Sequence, residues 1–196
     1  MRIKKILLTI VAGCMALGAV AAVDEQNSND KMSNNTSKSL VAYFSATGTT
    51  MEAASKLAKA AHADLHEIVP AVPYTPADLN WRDKKSRSTL EMEDKSSRPA
   101  IANKVENMDQ YDTIILGYPN WWGVPPMAVF TFLESYDFSG KKIVPFCSHE
   151  GSGLGGSIRQ IKMAVPDANL TAGVAIHGVT ASHCDREVNL ILSQAR

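Results

Sequence analysis

The 196-residue chain has no excess of charge, because 20 Lys and Arg balance 20 Asp and Glu for a formal net charge of +0. A nucleic-acid partner needs a basic surface, so that class is excluded. Cysteine is scarce, three residues in all, and none stands at zinc-ligand spacing from another Cys or a His, so no metal site is expected. The longest apolar run, Ile6–Val20, is too short for a comfortable membrane span. Two nucleotide signatures are also missing. No Gly-x-x-x-x-Gly-Lys-Ser/Thr occurs, which excludes a triphosphatase P-loop, and no Gly-x-Gly-x-x-Gly follows the first expected strand. The hydrophobic content is 45%, and that supports one globular domain.

Residues 1–22 read as an export signal rather than as part of that domain. Arg2, Lys4 and Lys5 form a basic start and an apolar core follows. Two exits compete. Val11-Ala12-Gly13-Cys14 resembles the lipobox of bacterial lipoproteins, which would place a lipid on Cys14. Ala19-Val20-Ala21 instead suits ordinary signal peptidase, and retention as an anchor is a third outcome. The expectation is an exported protein, periplasmic or lipid-anchored to a bacterial membrane. Removing the segment leaves 17 basic and 20 acidic side chains, a net of −3. Residues 23–38 are rich in Asn, Ser, Asp and Lys and read as a disordered tether. Residues 39–196 form the domain, expected to be a monomer.

The domain is organised around Ser39–Thr50. Leu40–Phe44 is a short apolar run suited to a strand buried on both faces of a parallel sheet. Small and hydroxylated residues end it. Met51–Ala61 then turns helical, with Ala54, Leu57, Ala58 and Ala61 as an apolar stripe. A strand, a hydroxyl-rich loop and a helix start make an anion site, in which the hydroxyls of Ser45, Thr47, Thr49 and Thr50 satisfy a phosphate without Lys or Arg. An ordinary Thr N-cap is the alternative reading.

Further strands are expected at Asp64–Val69, Thr113–Leu116, Lys142–Cys147 and Leu170–Ile176. Helices are expected at Pro76–Lys95 (anchored by Trp81 and Leu90), Pro126–Tyr136, Ile158–Val165 and Ser182–Ala195, the last capped by Ser182. Strands alternating with helices imply an α/β three-layer sandwich. Two more loops stand at strand carboxyl ends. Gly117-Tyr118-Pro119-Asn120-Trp121-Trp122-Gly123-Val124-Pro125-Pro126 places two adjacent indoles where open α/β sheets bind ligands, suited to stacking on a flat heterocycle. Ser148-His149-Glu150-Gly151-Ser152-Gly153 is glycine-dense, and glycine lets backbone N–H groups approach a planar ligand. Cys147 and Cys184 are both expected near one sheet edge, either paired or, more simply, as small hydrophobes.

Ser45, Thr47, Gly48 and Thr50 match the flavodoxin family's phosphate loop, Ser/Thr-x-Thr-Gly-x-Thr. The tryptophan stretch resembles a bacterial flavodoxin-like branch with Gly-Tyr-Pro-x-Trp-Trp-Gly-x-Pro-Pro. The resemblance covers residues from about 39 to 195. It implies a five-stranded parallel sheet of order 2-1-3-4-5 in the short-chain form, and FMN as cofactor. On that resemblance Ser45, Ala46, Thr47, Gly48, Thr49 and Thr50 hold the phosphate. Pro119, Asn120, Trp121, Trp122 and Gly123 flank the isoalloxazine, and a backbone carbonyl near Asn120–Gly123, with Gly123 free to flip its peptide, meets the reduced ring. Ser148, His149, Glu150, Gly151 and Gly153 line its pyrimidine edge. His149 and Glu150 depart from the small residues usual there.

No residue is singled out as catalytic. The function implied is that of a one-electron carrier between redox partner proteins. The alternatives are an FMN-dependent NAD(P)H or quinone oxidoreductase, with His149, Glu150 and Trp81 lining a substrate pocket, and an exported binding domain without flavin.

Overall fold

The computed structural model describes residues 38–177 and 184–196. The segment expected to direct export (residues 1–22, with Cys14), residues 23–37 of the expected tether, and Ser182 lie outside them. Among the described residues no helix is long and apolar enough to cross a membrane. Lys38, assigned to the tether from sequence, is tied to the fold: its Nζ lies 2.8 Å from Asp64 Oδ2 and 5.0 Å from the centre of the Tyr111 ring.

The elements run β1 (Ser39–Tyr43), α1 (Thr49–Ala61), β2 (Asp64–Glu67), α2 (Arg87–Glu93), β3 (Thr113–Pro119), α3 (Met127–Leu133), β4 (Lys142–His149), α4 (Ser157–Ala164), β5 (Asn169–Leu170), β6 (Val174–His177) and α5 (Asp185–Ala195). Every strand pairing is parallel, in the order β2-β1-β3-β4-β5, with β6 also on β4. The order matches the expectation. Successive residues of β1 divide between two cores, as the period of two requires. Leu40, Ala42 and Phe44 pack with residues of α3 and α4 on one face. Val41 and Tyr43 pack with Ala53, Ala54 and Leu57 of α1 and Val188 and Ile191 of α5 on the other.

Three expectations are corrected. The fifth strand is two pieces, because the chain opposite β4 carries one extra residue: Ile143 faces Leu170, but Phe146 faces Val174. Pro145 sits at the break and has no N–H for a ladder. Gly173 takes the slack at φ +74°, where a Cβ would lie 2.9 Å from the Pro145 carbonyl.

The long helix expected over Pro76–Lys95 is only α2. Asp78 Oδ2 accepts from Thr75 N at 2.8 Å and from Thr75 Oγ1 at 2.7 Å, so side chains capture the backbone in turns before a helix can start. Ser86 then caps α2 by accepting from Thr89 N. The expected anchors Trp81 and Leu90 are exposed, and Ser88, Thr89 and Met92 are buried instead.

The two cysteines are free and lie on opposite faces of the sheet, Cys147 in the α3/α4 core and Cys184 in the α1/α5 core. The sheet lies between them, so of the two expected readings the pairing is not formed and both are buried as small side chains. Burial pushes the Cys147 thiol up to about 12, leaving about one part in ten thousand as thiolate at pH 8. Neither Cys147 nor Cys184 should react with a disulfide probe in native protein, and both should react in denaturant. Rapid labelling of either by peptide mapping of the native protein would contradict the packing.

Candidate functional site

Each of the three loops follows the carboxyl end of a strand, β1, β3 or β4. In the first, Gly48 adopts φ +91° and no side chain caps α1, so the ordinary Thr N-cap of the alternative reading is not formed. The Ser45 hydroxyl accepts from Gly48 N at 3.1 Å and rounds the loop. Thr47 is exposed and Thr49 half-buried, their hydroxyls 3.5 Å apart. Ala46 packs against the α3/α4 core.

Thr50 is buried, and its hydroxyl meets that of Ser148 at 2.8 Å across 98 residues of sequence. These two site candidates therefore bolt the first loop to the third. Thr50→Val strands the Ser148 hydroxyl in a dry site and should cost about 1–3 kcal/mol of stability. The double variant with Ser148→Ala should recover much of that in urea unfolding. A strictly additive double would remove the bolt from the account.

In the second loop, Trp121 and Val124 exchange backbone hydrogen bonds at 3.0 and 3.1 Å. Trp122 and Gly123 between them both have positive φ, +50° and +86°. That is a type I′ turn, whose first central position glycine or asparagine normally fills. Here a tryptophan occupies it and stands 52% exposed. Trp121 takes the opposite course and meets Phe44 and Tyr74 edge-on, at ring centroid distances of 5.7 and 5.4 Å. One indole is thus structural and one faces outward.

Gly156 N donates to the Gly123 carbonyl at 2.7 Å, joining the second loop to the third. The Gly123 carbonyl, one of those near Asn120–Gly123 expected to meet the reduced ring, therefore already has a partner. Asn120 holds the same two loops together. Its N–H donates to Ser148 O at 2.8 Å and its side-chain amide donates to Gly153 O. Asn120 Oδ1 is buried and has no partner among the described residues.

In the third loop, Gly151 at φ +121° and Gly153 at φ +61° have open space where a Cβ would stand. Glu150 is exposed. His149 is half-buried and its Nδ1 accepts from Gly151 N at 2.8 Å. Strand register brings His177 beside it, with ring centroids 5.2 Å apart. Burial first, then the neighbouring His177, hold the His149 imidazole below its ordinary value. Pro119 is half-buried at the end of β3.

A crevice of about 620 Å³ opens among these loops, lined by Thr47, Asn120, Trp121, Trp122 and Ser152, with Leu79, Trp81 and Ser88 opposite. Leu79 and Ser88 were missed from sequence. Trp81 was placed there only under the substrate-pocket alternative. Their signal is not a motif but a bracket: the Arg87 guanidinium lies 4.2 Å from the Tyr74 ring centre, Arg87 Nε donates to Glu91 Oε1 at 2.6 Å, and Tyr74 Oη donates to Glu91. Because Tyr74 also packs on Trp121, the segment before α2 is fastened against the tryptophan turn.

Burial, reinforced by Glu91, raises the Tyr74 phenol, and burial also raises Tyr118. Burial and Asp64 push Tyr111 up to about 12. A phenol raised in the folded chain contributes stability that is complete below the unfolded value near 10 and is lost as pH climbs through the folded value. The urea midpoint should therefore fall between pH 9.5 and pH 11.5, checked by far-UV circular dichroism. A flat profile would contradict the burial of these phenols.

A groove between strand ends with a hydroxyl loop at a helix start, an outward indole and an open glycine loop suits an anionic, planar, heteroaromatic ligand. No match was found among curated proteins. Among solved structures, a protein of Bacteroides eggerthii assigned as a flavoprotein is 45% identical, covering 80% of this chain and 98% of that chain, with TM-score 0.73. A similarly assigned protein of Bacteroides uniformis is 41% identical over 78% of this chain and 98% of that chain, also with TM-score 0.73. A flavoprotein of Lactobacillus acidophilus, solved in complex with FMN, shares the fold at 21% identity and TM-score 0.59, covering 80% of this chain and 99% of that chain. The flavodoxin family profile matches residues 38–189, and the chain belongs to the flavodoxin family.

Proposed function

We propose that the chain is an FMN-binding electron-transfer protein that passes electrons one at a time between redox partner proteins. One observation carries the reading: the three ligand-suited loops meet at one crevice of about 620 Å³. The FMN held by the Lactobacillus acidophilus relative supports it. The residues fit the cofactor, since Asn120 Oδ1 is a buried acceptor without a donor among the described residues and Gly48, Gly151 and Gly153 leave space beside their backbones.

FMN, when bound, supplies the redox chemistry, and the chain positions and tunes it. Ser45, Thr47, Gly48 and Thr49 hold the phosphate with hydroxyls and backbone N–H groups at the start of α1. Asn120 Oδ1 accepts a ring N–H. Trp122 offers its indole plane and keeps water from one face. The glycine loop orients the polar edge of the ring. His149, kept neutral by burial and by His177, adds no positive charge there.

The N-terminal reading extends the proposal: the domain works outside the inner membrane, lipid-anchored at Cys14 or released, as a monomer. Intact mass of the mature protein decides between these ends.

An anaerobic dithionite titration of FMN-loaded protein tests the function. Two resolved one-electron phases are expected. A single two-electron phase, with steady NADPH consumption by the pure protein, would instead establish a two-electron NAD(P)H or quinone oxidoreductase. The wall formed by Trp81 and Leu79 favours that second reading. A protein that takes up no FMN would be a binding domain.

A further inference from the structure

We propose that His149 is a positioning residue: its neutral ring holds the third loop in the shape that receives the cofactor, and protonation of that ring releases the loop. The proposal rests on the FMN reading only in naming the ligand that the loop serves.

The first residues of the loop have one tie to the rest of the chain. Gly151 N donates to His149 Nδ1 at 2.8 Å, and Gly151 stands at φ +121°. Among the described residues this is the one hydrogen bond made by Glu150, Gly151 or Ser152. From Gly153 onward the loop is held separately. Gly153 O accepts from the Asn120 amide and from Cys147 Sγ at 3.3 Å, and Gly156 N bonds to Gly123 O. A single imidazole therefore pins the stretch between the end of β4 and Gly153. The ring is itself kept in place, half-buried, with the His177 ring edge-on to it at 5.2 Å and 77°.

Donor and acceptor chemistry makes this pin depend on protonation. A backbone N–H can only donate, so Nδ1 must present a lone pair, and the proton of the neutral ring stands on Nε2. The imidazolium carries a proton on both nitrogens. Its Nδ1–H would face the Gly151 N–H, donor against donor, and the attraction turns to repulsion. The stretch then yields. His177 from β6 opposes a charge on His149, and Glu150 from the loop itself favours one; among the described residues no other ionisable group bears on the ring. FMN affinity is therefore full above the pH at which His149 titrates and falls as pH drops through it.

Nuclear magnetic resonance on the full-length, cofactor-free protein reads the loop. The proton of the neutral His149 ring is expected on Nε2. Protection of the Gly151 amide against hydrogen exchange should be lost with the same midpoint as the ring's protonation. His177→Gln should raise that midpoint and Glu150→Gln should lower it. A neutral ring protonated on Nδ1 overturns the proposal, as does a Gly151 amide equally protected on both sides of the midpoint. Fluorescence titration with oxidised FMN reads the consequence. The phosphate of FMN also titrates, near about pH 6, so each protein's affinity at pH 5 is compared with its own at pH 8. The reference is His149→Asn, whose side-chain oxygen accepts from the backbone N–H two residues on and does not titrate. Wild type should lose at least about threefold more affinity than His149→Asn over that range, the worth of one hydrogen bond. His149→Ala, which has no acceptor, should bind about three- to tenfold more weakly than His149→Asn at pH 8. Equal losses in wild type and His149→Asn overturn the proposal. If the protein takes up no FMN, the proposed function falls, while the amide protection still decides whether the ring holds the loop.

Discussion

Replacing Gly155 with Ala should weaken FMN binding by one and a half to three orders of magnitude while the domain stays folded. Gly155 has φ +54°, and a Cβ there would lie 2.4 Å from the Gly123 carbonyl oxygen and 2.8 Å from its Cα. Both are backbone atoms of the neighbouring loop, so nothing flexible can yield. A non-glycine residue in left-handed backbone adds strain of about 1–3 kcal/mol. The hydrogen bond from Gly156 N to Gly123 O, 2.7 Å long, sits in the same contact and adds about 1 kcal/mol when lost. The loops relieve the clash by parting. The cost therefore falls on assembling the site, about 2–4 kcal/mol of affinity at 1.4 kcal/mol per decade. Fluorescence titration with FMN reads the affinity, and thermal melting of the cofactor-free protein reads the fold. Unchanged FMN affinity would show that the contact between the second and third loops is dispensable.

The second large effect lies inside the sheet. Gly117→Ala should lower stability by about 3 kcal/mol or more, a fall in Tm of roughly 10 °C for a domain of this size. Gly117 on β3 and Phe146 on β4 are register partners, and an added Cβ would stand 2.2 Å from Phe146 Cζ and 2.6 Å from Cε1. Phe146 is fully buried, so its ring has nowhere to go. The ring already fills the space above the glycine, and in return the glycine must have no side chain. Alanine's better behaviour in a strand offsets only about 0.5–1 kcal/mol of the clash. Phe146→Leu should rescue the variant, with the double at least about 1 kcal/mol more stable than the sum of the singles. Additivity in urea unfolding would refute the steric account.

The two-sided burial of β1 and the three carboxyl-edge loops were legible because each rests on local pattern, whereas the strand order was implied only by the resemblance to the flavodoxin family. Leu40–Phe44 is apolar at every position, and the Ser45–Thr50 and Gly117–Pro126 stretches carry their chemistry in adjacent residues. The far wall of the crevice was not legible in the same way. Charge density made Tyr74–Arg98 look like a solvated helix, but its structure is decided by side chains that bond the backbone, such as Asp78 to Thr75, and by the contact of Tyr74 with Trp121 across 47 residues of chain. The polar Ser88 and Thr89 are buried there while Leu90 is exposed, the reverse of what hydrophobicity suggests. The division of β5 from β6 depends on Pro145 in another strand. Thr50 and Ser148 look like ligand groups by residue type, and only the fold shows them bonded to each other.

The placement of Cys147 and Cys184 on opposite sides of the sheet has a consequence for where this domain can mature. A parallel sheet stands between the two sulfurs, so no motion short of unfolding joins them. Their folding needs no oxidant and no disulfide isomerase. The domain can reach its native state in a reducing cytoplasm or an oxidising envelope with the same internal contacts. The moment at which cofactor meets chain is therefore chemically independent of the side of a membrane on which the chain folds.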